Sequence, residues 1–125
     1  MAIILIYVGS VLPLLWGISH LFPTKSVVKG FGEISEDNKN IITMEWIIEG
    51  IALIFVGVLV AVVTFIDPGS IISKAIYITV SCFLLVLAVV SLFTGFRVNF
   101  IVFKFCPVIF TCSAVLISVG WMTIG

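Results

Sequence analysis

MEWIIEGIALIFVGVLVAVVTFI, residues 44–66, is the stretch on which the fold turns. Glu45 and Glu49 are its only charges, and from Gly50 to Ile66 nothing is more polar than Thr64. A helix that crosses a bilayer needs about 20 mostly apolar residues to span a hydrocarbon core of roughly 30 Å. The run stops at DPGS (67–70), and an equally apolar one resumes at Ile71. Outward from there the same pattern repeats. Spans are predicted at about 2–22, 44–66, 71–96 and 100–124, and one sizeable polar segment, 23–43, interrupts them. The expected fold is all-α: an integral membrane four-helix transmembrane bundle forming a single transmembrane domain over residues 1–125.

Composition agrees. The chain is 62% hydrophobic and 10% charged, with a mean hydropathy of +1.43, whereas a soluble domain is about one quarter charged. The first run lacks a basic n-region and an A-x-A-like cleavage site, so it reads as a retained helix. Zero net charge removes the electrostatic case for nucleic acid. Cys82, Cys106 and Cys112 fall within spans without a C-x-x-C pair and read as small buried hydrophobes.

Basic residues set orientation. Lys25, Lys29 and Lys39 lie in the first loop and Arg97 and Lys104 flank the third, against Lys74 alone near the second. The first and third loops are therefore expected in the cytoplasm, with both termini of this multi-pass cell-membrane protein on the non-cytoplasmic side. Pro68 and Gly69 break the chain and Ser70 can cap the next helix, making the second and third spans antiparallel neighbours. In the first loop, Ser35 followed by Glu36 and Asp37 signals a helix start near Glu36, because carboxylates favour the positive end of a helix. Phe22, Val27, Val28 and Phe31 are placed to dip into the interface while Lys25 and Lys29 face headgroups; an ordinary basic loop is the plainer reading.

Helices in lipid associate through small and polar residues. At about 100° per residue, one face of each span collects them. These are Gly9, Pro13, Trp16, Gly17 and His20; then Trp46, Gly50, Gly57, Ala61 and Thr64; then Ser73, Tyr77, Ser81, Ala88, Ser91 and Gly95; and last Lys104, Pro107, Thr111, Ala114 and Ser118. Pro13 and Pro107 are expected to bend their helices, leaving carbonyls that need another partner.

The candidate site is the polar cluster that alternating topology brings to one end: His20, Glu45, Glu49, Arg97 and Lys104, with Trp16 and Trp46 beside them. Glu45 and Glu49, spaced i, i+4, share a helix face. Glu49 lies one turn deeper, where charge is costly. Three readings stand open: an ion pair with Arg97 or Lys104 that locks helices together, a proton or polar-ligand site with His20, and a metal site. A single histidine and no H-E-x-x-H spacing make the metal reading thin, so no metal and no cofactor are expected. No G-x-S-x-G or Gly-rich phosphate loop is present, and no catalytic residue is assigned.

In size and span number alone, the chain resembles a broad group of small prokaryotic membrane proteins, the DoxX-like ones among them. No motif matches residue by residue, so no functional residue is carried over. Small multidrug transporters place a carboxylate inside the first helix, and this first helix has no acid. The expected function is binding of a partner or small ligand at the cytoplasmic-side cluster, non-enzymatic. The expected partners are the lipid bilayer and either a homo-oligomer or a larger membrane complex, with no nucleic acid. The alternatives are a proton-coupled transporter or channel working as an oligomer, with Glu49 as coupling acid, and a membrane enzyme acting on a lipid or quinone.

Overall fold

A computed structural model describes residues 1–124 of the chain. It contains α1 (Ala2–Leu21), α2 (Thr24–Gly30), α3 (Glu36–Ile66), α4 (Ile71–Gly95) and α5 (Cys106–Met122), with a 3-10 turn at Ile101–Lys104 leading into α5. α1, α3, α4 and the Ile101–Met122 segment are each long and apolar enough to cross a membrane. The protein is an all-α integral membrane four-helix bundle, and α2 is a short accessory helix between the first two spans.

The predicted helix starts are present. The Ser35 hydroxyl accepts a hydrogen bond from the Asn38 N–H at 3.2 Å, with Glu36 and Asp37 in the first turn of α3. The Ser70 hydroxyl accepts from the Ser73 N–H at 3.0 Å, and the Gly69 N–H donates to Asp67 Oδ1 at 3.0 Å. Side chains thus meet backbone donors that a helix start or a tight turn leaves free.

The spans pack in a ring in which α1 lies between α3 and α5, and α5 lies between α1 and α4. Although the Asp67 turn joins α3 to α4, α3 packs far more extensively on α1. Glycine makes those approaches close. A Cβ added at Gly57 would come 2.5 Å from the Ser10 carbonyl oxygen, and one at Gly17 would come 2.6 Å from that of Gly50. On the opposite side of α1, Ile117 of α5 sits against Gly9, and Ile6 sits against Gly120. Large and small residues therefore interlock on both faces. Ile6, Leu53, Val60, Tyr77, Leu84 and Ile117 form the centre of the core.

The stripes on the first three spans are largely buried: Gly9, Pro13 and Gly17, then Gly50, Gly57 and Thr64, then Ser73, Tyr77, Ser81, Ala88 and Gly95. The stripe on the fourth is only partly buried, at Pro107 and Ala114. Lys104 and Thr111 are exposed, and the buried face runs through Pro107, Phe110, Ser113, Ala114, Ile117 and Gly120. The 3-10 turn interrupts the 100° periodicity before α5 begins. It also puts Pro107 in the first turn of α5, where a missing N–H costs nothing, so no bend is needed there. Pro13 does lie inside α1, and the carbonyl four residues before it belongs to Gly9. The buried Ser113 hydroxyl donates to that oxygen at 2.6 Å. The partner that the proline makes necessary comes from another helix. Of the three cysteines, Cys106 is half-buried, whereas Cys82 and Cys112 are exposed on the outer faces of α4 and α5 and take no part in the core.

Candidate functional site

The end of the bundle where α1 stops is built around His20. Trp16 and His20 are spaced i, i+4, so both lie on one face of α1. The last carbonyls of a helix lack intrahelical partners. That of His20 accepts from Trp46 Nε1 at 2.7 Å. The same approach stacks the His20 and Trp46 rings, with centroids 3.8 Å apart and planes 15° apart. Phe103, on the 3-10 turn, meets the Trp46 ring edge-on at 5.8 Å. α1, α3 and the α4–α5 connection each contribute one aromatic wall.

These walls enclose a cavity of about 70 Å³, lined chiefly by Trp16, His20, Trp46, Phe100, Phe103 and Cys106. Two ring nitrogens of its lining residues, Trp16 Nε1 and His20 Nε2, are buried without a hydrogen-bond partner. His20 Nε2 does lie 3.4 Å from Glu49 Oε2. That distance permits charge attraction when the imidazole is protonated, but the contact lacks hydrogen-bonding geometry. The two partners sit differently: the His20 side chain is 8% exposed and that of Glu49 55%.

The structure therefore gathers Trp16, His20, Trp46 and Glu49. Glu45 lies one turn from Glu49 and is exposed. Arg97 and Lys104 are also exposed, and among the described residues neither forms an ion pair. Of the three open readings, the ion pair of Glu49 with Arg97 or Lys104 is not formed. α4 ends at Gly95, the connection carries Arg97 outward, and the 3-10 turn brings Phe103 inward in place of Lys104. Among the described residues no three His, Cys, Asp or Glu side chains gather closely enough to hold a metal ion.

Sequence reasoning missed Phe100, Phe103 and Cys106 as cavity walls. The spacing of Phe100 and Phe103, whose rings meet at 6.0 Å, is a signal visible in the sequence, but a continuous helix from residue 100 hides it. Chemically, the cavity is an apolar aromatic box, and the ring nitrogens of Trp16 and His20 lie buried behind its lining. No family model, curated protein or solved structure matches this chain.

Proposed function

We propose that this chain is a non-enzymatic membrane protein that binds an apolar molecule carrying a hydrogen-bond acceptor, taken end-on into the cavity beside His20. The observation that carries this reading is the pair of buried ring nitrogens, Trp16 Nε1 and His20 Nε2, which make no hydrogen bond of good geometry: Trp16 has only the weakly accepting Cys106 sulfur beside it, and His20 only the Glu49 carboxylate. Indole Nε1 is a donor only, and imidazole Nε2 is a donor in one of its neutral tautomers and in the protonated form. A buried polar group without a partner costs about 1–3 kcal/mol. A ligand that brings an acceptor recovers that loss, whereas a hydrocarbon of the same size does not. Size sets the mode of entry. A cavity that encloses benzene measures about 150 Å³; one of about 70 Å³ admits an end group while the rest of the molecule stays in the bilayer. The basic bias of the first and third loops supports placing this end at the cytoplasmic leaflet.

The bundle interior supports binding over conduction. The buried hydroxyls of Ser10, Thr64, Ser81 and Ser113 each donate to a backbone carbonyl. Between them Ile6, Leu53, Leu84 and Ile117 fill the centre.

The test uses purified protein carrying ¹⁵N-labelled indoles and two probes of matched size, 2-nonanone and n-decane. The ketone is expected to shift the Trp16 indole resonance and leave that of Trp121, near the C-terminal end of α5, unchanged. His20→Phe is expected to weaken ketone binding about tenfold, the equivalent of one lost hydrogen bond in a dry site. Equal responses to ketone and alkane, or an unmoved Trp16, would refute the reading.

A further inference from the structure

A second concavity, separate from the aromatic cavity, lies where α2 folds back beside the start of α3. Gly32, with φ of +77°, takes the left-handed turn that reverses the chain there. The concavity measures about 370 Å³ and its lining includes Lys25, Lys29 and Lys39 together with Thr24 and Thr43. Three lysines thus line one hollow. Lys39 shares its charge with Glu36 at 3.2 Å. Lys25 and Lys29 have no ion-pair partner among the described residues. Glu33 and Asp37 are exposed and lie outside the lining.

Depth identifies the medium. α1 has 20 residues, about 30 Å at 1.5 Å per residue, which is the whole hydrocarbon core. Its last turn is hydrogen-bonded to Trp46, so Trp46 marks the core boundary. Thr43 and Lys39 precede Trp46 by three and seven residues, about 4.5 and 10.5 Å farther along α3. The headgroup layer on each face is roughly 5–7 Å deep. The hollow therefore brackets the level of lipid phosphates, and exposed Phe22, Phe31 and Met44 lie within two residues of its lining in the sequence.

From this placement we infer that the Lys25–Lys29–Lys39 hollow binds a phosphate-bearing anion, with an anionic phospholipid headgroup as its source. The inference does not depend on the aromatic cavity. Purified protein in neutral detergent, where membrane orientation plays no part, is titrated with fluorescently labelled phosphatidylglycerol or phosphatidylcholine. Phosphatidylglycerol is expected to bind at least tenfold more tightly. K25Q/K29Q is expected to lower that affinity by roughly fivefold per lysine at low salt. K25R/K29R should retain it, and Lys74→Gln, at the opposite end of the bundle, should not change it. Inorganic phosphate is the competitor: failure to displace the lipid identifies the headgroup source, and displacement at comparable concentration identifies a soluble phosphate in the same site. Equal binding of the two lipids, or K25Q/K29Q behaving like Lys74→Gln with both folded by circular dichroism, would overturn the proposal.

Discussion

At the Asp67 end of the bundle, Tyr77 is fully buried and its hydroxyl meets that of Thr64 at 2.9 Å. Ser73 donates to the Asp67 carbonyl at 2.6 Å, and Ser70 caps α4. At the His20 end, the ring nitrogens of Trp16 and His20 are also enclosed, yet neither makes a hydrogen bond of good geometry. Connection length accounts for the difference. The turn from Asp67 to Ser70 pins α3 to α4, so side chains one or two turns inward find each other. At the opposite end the chain passes through α2 and through the 3-10 turn, and those longer connections frame hollows. Buried polar groups stabilise a fold when satisfied and mark a place for something else when not.

Substitutions test that contrast, the largest effect first. Gly57→Ala disrupts the packing on which both ends depend. Its Cβ would meet the Ser10 carbonyl and Leu14 at 2.5 and 2.7 Å, so α1 and α3 must move apart. A loss of about 2–3 kcal/mol is expected for such overpacking, read by denaturant unfolding in micelles. Unchanged stability would mean that the two helices cross less tightly than those distances require.

Ser113→Ala leaves the Gly9 carbonyl, freed by Pro13, without a partner in a dry interface. The expected cost is about 1–2 kcal/mol. The double variant Pro13→Ala, Ser113→Ala should recover part of it, because the helical N–H returns. A Ser113→Ala protein as stable as the parent would show that the proline needs no outside help.

Two aromatic substitutions compare the ends directly. Tyr77→Phe removes a satisfied hydroxyl and should destabilise by about 1 kcal/mol, given modest hydrogen-bond energies in membranes. His20→Phe keeps a ring to stack on Trp46 and keeps the backbone carbonyl that Trp46 uses. It removes an unsatisfied nitrogen, so stability should hold or rise slightly. A loss for His20→Phe as large as that for Tyr77→Phe would erase the distinction between the ends.

Glu49→Gln should change least. The side chain is half exposed, and among the described residues its one ion-pair partner is the histidine, so its effect on thermal unfolding should stay within about 0.5 kcal/mol. A large loss would restore a structural role for this acid.

The sequence by itself determined the four spans, the cap at Ser35, the turn at Asp67 and most of the inward faces of α1, α3 and α4. Each of these depends on local features: the hydropathy of one run, a short polar side chain before a helix, a proline–glycine pair, a period of 3.6. Tertiary structure alone decided that α1 separates α3 from α5, that Ser113 serves the Gly9 carbonyl, and that Phe103 rather than Lys104 closes the His20 site. It also left Arg97 and Lys104 exposed and unpaired with Glu49. Partition into a bilayer follows from the composition of one segment. Helix association in lipid depends on mutual fit between small and large residues and on hydrogen bonds between distant segments, and no single span carries that information.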